Sequence, residues 1–264
     1  MSADTVKIEI VPSGEQFLRT NNLPAKGSVD RQPAGLNFYR ASWSTQSSGT
    51  VIVNQGPYSF EIPFALTVLG TEDAEAISEG LQSFDIGAGI TAPDTIPHDE
   101  ARRRFLDFIQ NLAKIGWKPV HFYDDPRLVG EDAFKYYEED DSYGIPPDYR
   151  PTFEQWMQIK SGRWRLFADD VFLTMRFHRD RKRVDPNQPG AYLLAFSITS
   201  KEQYAKAHFE GEQDRANWMD LWEDKIKELK KQRYAKEAML KKRGFTIDTD
   251  YEEPKIHPDD PVEP

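Results

Sequence analysis

A basic run in the C-terminal half has the residue types best suited to bind a ligand. Arg176 and His178 alternate along a predicted strand, and more basic residues follow at Arg179, Arg181, Lys182 and Arg183. Forked guanidinium donors suit both phosphate and carboxylate groups. Together with Asp170, Arg176 and His178 predict a small-ligand or phosphate site on the polar face of the strand at 171–179. The simpler interpretation is a solvated hairpin end that protects a strand edge.

A second candidate is the segment 124–150, in which tyrosines alternate with carboxylates. Carboxylates steer a surface toward a basic partner, and tyrosines are rigid, amphipathic anchors at protein interfaces. We therefore expect a partner-binding surface here, made of Tyr137, Glu138, Glu139, Asp140, Asp141 and Tyr143. The alternative is a variable acidic loop.

Motifs for catalysis, metal binding and nucleotide binding are missing from the sequence. Cysteine is absent, which excludes thiolate nucleophiles and sulfur-ligated zinc. The five histidines have no HExxH or HxH spacing, and no GxSxG or SxxK occurs. Gly87 and Gly89 form a GxG without the third glycine, and Pro93 breaks the helix that a nucleotide loop needs. We therefore predict a protein that is not an enzyme and has no cofactor and no metal site.

Composition favours a protein partner over nucleic acid. The 264 residues carry 34 Lys and Arg against 44 Asp and Glu, for a net charge of -10. Such an acidic chain is a poor match for a phosphate backbone. No window approaches the roughly 18 apolar residues that span a membrane, so we expect no span in the chain as given. We expect a periplasmic location if the chain is the trimmed ectodomain of an anchored protein, and a cytoplasmic one otherwise.

Local patterns predict the elements of the N-terminal half. Period-two alternation predicts a strand over 6–10, and two β-rich runs around Asn54-Gln55-Gly56-Pro57 predict a hairpin. An apolar stripe over 99–115 predicts a helix with Asp99 at its N-cap. Residues 20–36 are expected to be an irregular loop, 117–123 a strand, and 132–139 a short helix.

Residues 164–198 have the clearest alternation in the chain. Apolar and polar side chains alternate over 171–178 and 192–198, and a β-rich run precedes them at 164–167. They predict a three-stranded antiparallel meander with one buried face. Capping boxes at Thr152/Gln155 and Ser200/Gln203 begin two helices. The second is interrupted at Gly211 and continues to Arg243.

The fold class predicted from these patterns is α+β, with antiparallel sheets packed against amphipathic helices and a long C-terminal helix. We expect an N-terminal α+β half with the acidic loop at 1–148, a meander and long helix at 149–245, and an extended tail at 246–264. The proline-rich stretch near 146–151 is the predicted boundary.

Four segments resemble proteobacterial proteins that accompany type VI secretion effector loci. They read IPHDEARRRFLDFIQNLAKIGW (96–117), DDVFLTMRFHRDR (169–181), PGAYLLAFSITSKEQYA (189–205) and DLWEDKIKELKKQRYAKEAMLKKRGF (220–245). The resemblance covers most of residues 84–250. It implies an immunity or accessory protein that binds and neutralises a toxic effector without catalysis.

Three functional hypotheses follow. The first is an immunity-type protein whose partner is a toxic secreted effector. The second is a small-ligand or phosphate-binding protein, or an enzyme, that uses Arg176, His178 and Asp170. The third is a structural adaptor of a secretion system.

Overall fold

One large sheet organises the protein, which is seen in a computed structural model that describes residues 4–258 and residue 260. Over these residues there are ten strands: β1 (Thr5–Ile8), β2 (Val29–Gln32), β3 (Leu36–Ser42), β4 (Gly49–Val53), β5 (Phe60–Asp73), β6 (Leu81–Gly89), β7 (Lys118–Pro119), β8 (Trp164–Ala168), β9 (Val171–Arg179) and β10 (Tyr192–Ser200). The helices of the same residues are α1 (Gly14–Thr20), α2 (Ala25–Ser28), α3 (His98–Lys114), α4 (Gly130–Glu139), α5 (Phe153–Gln158), α6 (Lys201–Lys206), α7 (Glu212–Ala216) and α8 (Trp218–Lys242). Short 3-10 turns lie at Gly56–Tyr58 and Ile77–Glu79.

The strand order is β1-β4-β5-β6-β10-β9-β8-β7. The long strand β5 pairs with β4 through its first part and with β3 through its second, and β2 adds to β3. β1 and β4 are parallel, whereas the other pairs of named strands are antiparallel. The predicted α+β class, the meander β8-β9-β10 and the long C-terminal helix are all confirmed.

The main core fills one face of the sheet. Alternation along β9 directs Leu173, Met175 and Phe177 to this face, where they are buried. Phe105 of α3 packs against them, with its ring centroid 4.7 Å from that of Trp164 and 5.6 Å from that of Phe177. The apolar stripe that predicted α3 is therefore its contact with the sheet.

A second, smaller core covers part of the opposite face. Phe172 of β9 stacks on Tyr204 of α6 with ring centroids 3.8 Å apart, and Trp222 and Ile226 of α8 complete the cluster. Tyr123 joins it from the segment after β7. Because these elements lie over one end of the face, the middle of the sheet remains uncovered.

The sheet is continuous across the predicted domain boundary. β6 pairs with β10 from Ser83 opposite Thr199 to Gly89 opposite Leu193. The main core also contains residues from both halves. The boundary at 148/149 therefore does not separate two cores. In the predicted tail, Ile247 and Ile256 are buried against the rest of the chain.

Three local predictions differ from the structure. Residues 20–36, expected to be irregular, contain α2 and β2. The strand expected over 117–123 shortens to Lys118–Pro119, since proline cannot donate to a ladder. The N-cap of helix α3 is Pro97, two residues before the predicted Asp99, and Asp99 pairs with Arg102 and Arg103 in the first turn instead of capping it.

Candidate binding groove on the open face of the sheet

The uncovered middle of the sheet forms a groove of about 380 Å³, which we call the sheet-face groove. It runs over β5, β6, β10 and β9. The residues that line it from the open face are Arg40, Thr67, Leu69, Asp85, Gly87, Thr174, Arg176, His178, Leu193, Ala195 and Ser197. The groove is open to solvent and is not a closed cavity.

Small residues make the floor of the groove. Gly87 lies opposite Ala195, which in turn lies opposite Arg176 on the next strand. A Cβ at Gly87 would lie 2.9 Å from the Thr67 hydroxyl and would have no other neighbour within 4 Å. Leu69 and Leu193 flank this floor, and Leu193 is 42% exposed. The groove therefore offers apolar contacts between charged margins.

Three arginines gather at one end of the groove, around a depression of about 440 Å³ that we call the arginine depression. Arg163, Arg165 and Arg176 line it together with Thr174 and Ser197. Arg165 is opposite Thr174 on β9, and continuing this register by two residues places Arg163 beside Arg176. The depression and the groove share Thr174, Arg176 and Ser197, so they form one continuous surface.

Arg165 is held rigidly beneath the depression. Its side chain is 6% exposed, its guanidinium lies 3.9 Å from the ring centroid of Phe122, and it donates to the carbonyl of Ser142 at 3.2 Å. Burial lowers its pKa, but an arginine remains charged in proteins. The depression thus contains a fixed positive charge.

Two carboxylates also line the depression, and each is beside a base. Asp125 lies 3.7 Å from Arg165, and Asp124 lies 3.3 Å from Lys236. Burial raises the pKa of Asp125 to about 6, although the nearby charge of Arg165 acts to lower this pKa. The Oδ2 of Asp125 accepts no hydrogen bond within the described residues. Neither carboxylate is paired with Arg176.

The acidic segment differs from the prediction in its tyrosines. Tyr137 and Tyr143 are 5% and 0% exposed, so they do not form surface anchors. Tyr137 faces inward with Phe134 because residues three apart share a face of α4. Tyr143 donates to the carbonyl of Pro126 at 2.9 Å and accepts from the amide of Leu128 at 3.3 Å. Burial raises the pKa of Tyr143.

The predicted carboxylates remain on the surface, and Asp140 and Asp141 precede Ser142, which lines the arginine depression. Glu138, Glu139, Asp140 and Asp141 are exposed. Glu139 pairs with Arg243, and the Ser142 hydroxyl lowers the pKa of Asp140 by hydrogen bonding.

Backbone contacts join this acidic segment to the groove. Arg163 donates to the carbonyl of Asp141 at 3.0 Å, and the neighbouring carbonyl of Ser142 accepts from Arg165. The two regions predicted separately from the sequence therefore meet at one surface.

The predicted Arg176, His178 and Asp170 site is only partly assembled. Arg176 and His178 lie in the groove, two residues apart on one face of β9. Asp170 precedes β9 in the turn and pairs with Lys201. Six residues of extended strand separate it from Arg176 by about 20 Å, so the two do not meet.

Sequence reasoning missed Arg163, Arg165 and Ser197. The available signal was the alternation of Arg163, Trp164 and Arg165, which directs the two arginines to the face opposite the buried tryptophan. Identification of Ser197 as a neighbour required the pairing of β10 with β9, where it lies opposite Thr174.

Comparison with protein-family models, with curated proteins and with solved structures found no match. Among the described residues, no cluster of three or more potential metal ligands is found. None of the helices seen over this part of the chain has the length and apolarity needed to cross a membrane.

Proposed function

We propose that the chain is a non-catalytic binding protein of the immunity type, which binds a toxic secreted effector and neutralises it. The partner contacts the sheet-face groove and the acidic rim beside it. The proposal takes its class of partner from the resemblance to proteins of type VI secretion effector loci. The choice of the binding surface is based on the sheet-face groove.

The observation that carries the proposal is the uncovered middle of the sheet. Antiparallel sheets commonly leave one face to solvent, but exposed apolar side chains rimmed by polar and charged groups are typical of an interaction site. Here Leu69 and Leu193 line the same groove as Arg176, whose guanidinium has no hydrogen-bond or ion-pair partner within the described residues. The small floor residues allow a partner's side chains to enter.

Co-expression with the toxic protein of the same locus tests the proposal. We expect the wild-type chain to restore growth and the variant Ala195→Arg to lose this protection, because the new side chain fills the floor of the groove. Ile77→Arg is the matched control, since Ile77 is 55% exposed and lies outside the groove. Failure of the wild-type chain to protect, or equal protection by both variants, would contradict the proposal.

A photo-crosslinking amino acid at position 193 gives an independent measurement. With the purified toxic protein, we expect a one-to-one crosslinked species from position 193 and none from position 77. Crosslinking from position 77 alone would place the contact elsewhere on the molecule.

A small-ligand function is the second candidate. It is favoured by the volume of the groove, which lies in the range of small-molecule sites, and by the placement of Arg176 and His178 on one wall. A rise in Tm with a phosphate-bearing metabolite, absent in Arg176→Gln, would support this function over protein binding.

A further inference from the structure

Arg163, the residue before β8, lies beside Arg176 of β9, and neither arginine forms an ion pair within the described residues. The register of β8 and β9 places Arg163 beside Arg176, and both line the arginine depression. Like charges directly opposite one another destabilise a sheet. An anion bound between them would remove this repulsion.

Two hydroxyl groups complete a set of donors. Thr174 lies directly opposite Ser197, both are half-buried, and both border the depression next to Arg176. Within the part of the chain that the structure describes, neither hydroxyl is hydrogen-bonded to another group. Half-buried polar groups without partners in the protein are available to a ligand.

The charge that faces this set is positive. Asp124 and Asp125 are offset by Lys236 and Arg165. Two negative groups oppose an anion here. Asp85 lies opposite Ser197 across β6 and β10, and Asp140 interacts electrostatically with Arg163 but is exposed, so solvent screens its charge. An anion is therefore favoured on the β8-β9 side, between Arg163 and Arg176.

We infer that the arginine depression is an oxyanion-binding subsite, in which Arg163, Arg176 and the hydroxyls of Thr174 and Ser197 bind a carboxylate or a phosphate. The forked guanidinium of Arg176 suits both groups, since each presents two oxygens in a plane. The inference rests on the proposed function, in which a partner binds this surface. It adds that the partner presents an anionic group to the arginine depression.

Side-chain NMR of the purified chain tests the subsite directly. Inorganic phosphate and a capped tetraglutamate peptide are titrated separately, and the Nε–Hε signal of Arg176 is followed. We expect a saturable shift with at least one probe. Arg176→Gln, followed through the backbone amide of Ser197, should weaken binding by roughly tenfold, as loss of a charge-assisted hydrogen bond predicts. Arg181→Gln is the matched control, because Arg181 is exposed in the loop after β9 and should leave binding unchanged.

Two further variants test whether charge and hydrogen bonding change the affinity in the expected directions. Asp85→Asn should tighten binding of the same probe, because it removes the opposing charge. Ser197→Ala should weaken binding without removing a charge, and thermal unfolding establishes that each variant is folded.

The probes separate the two sources of the anion. Binding of the peptide alone assigns the site to a carboxylate-bearing segment of a partner, binding of phosphate alone assigns it to a phosphate group, and binding of both supports a general oxyanion site. If neither probe shifts the Arg176 signal, the subsite is rejected. A further outcome in cells is that Arg176→Gln still protects while Ala195→Arg does not. That result would show that the partner does not depend on the subsite, and the proposed function would stand.

Discussion

At the scale of single residues, buried charge dominates the contact between α8 and the segment after β7. Glu237 accepts from the backbone amide, Nε and Nη2 of Arg127 at 3.0, 3.0 and 3.1 Å. The two residues are 4% and 9% exposed. Such a pair adds little net stability, but removal of one partner leaves a buried charge without compensation.

We therefore predict that Glu237→Ala lowers the free energy of unfolding by about 3–5 kcal/mol. Glu223→Ala on the same helix is the control, since Glu223 and Lys227 form a pair with both side chains exposed. It should leave the free energy of unfolding unchanged within error. Urea denaturation at pH 7 measures both, and similar losses would contradict the role of burial.

Because His121 is buried, we expect the free energy of unfolding to depend on pH. The residue is 8% exposed, and burial lowers its pKa to about 3, with Arg233, Arg165 and Arg127 adding to the effect. The folded protein holds this ring neutral, whereas the unfolded chain takes up a proton below pH of about 6.5. The contribution of His121 is therefore fully present above that pH and is lost as the pH falls toward 3.

His121→Phe should remove this dependence. From pH 7.5 to pH 5.5, the wild-type chain should lose about 1.4 kcal/mol more of its unfolding free energy than the Phe variant. Urea denaturation at the two pH values gives the comparison. Equal losses in the two proteins would show that His121 is protonated in the folded state.

At the scale of elements, Gly190 joins the start of α3 to β10. Its amide and carbonyl exchange hydrogen bonds of 2.9 Å with Ile96, and its Cα packs against the buried ring of His98. A Cβ at this position would lie 2.3 Å from the Cε1 of His98. The ring has little freedom to move, because its Nδ1 is hydrogen-bonded to the Tyr192 hydroxyl.

Gly190→Ala should therefore lower the free energy of unfolding by about 1–3 kcal/mol through overpacking. Gly87→Ala is the matched control on the open face, and we expect a smaller loss there, because the new Cβ would lie 2.9 Å from a single atom, the Thr67 hydroxyl, which can rotate toward solvent. Thermal unfolding of both variants tests the difference. Equal stability of the two variants would mean that the ring of His98 can move away.

At the scale of the whole molecule, the continuous sheet predicts cooperative unfolding. Separation of residues 1–148 from the rest would expose the edge of β6 and would remove part of the main core. We expect that fragment 1–148 does not fold alone. We also expect the full chain to unfold in one transition, with the same midpoint by far-UV circular dichroism and by tryptophan fluorescence. Two separate midpoints would indicate independent halves.

Much of the local structure could be predicted from the sequence. Period-two alternation identified β9 and β10, an apolar stripe identified α3, and the capping box at Thr152 and Gln155 is present at the start of α5. These signals are local, because each reports which side of one strand or helix is apolar. Arg176 and His178 were placed on the open face by the same alternation.

Tertiary structure alone decided which of these faces meet. The sequence could not indicate that Tyr137 and Tyr143 are buried, that Asp170 lies away from Arg176, or that the two halves share a sheet. A tyrosine between carboxylates suits an interface or a core equally well, and the choice depends on elements far along the chain. Arg127 and its partner Glu237 are 110 residues apart. Local periodicity does not depend on such long-range pairing and cannot predict it. The arginine depression forms only because β8, β9 and β10 are neighbours in the sheet.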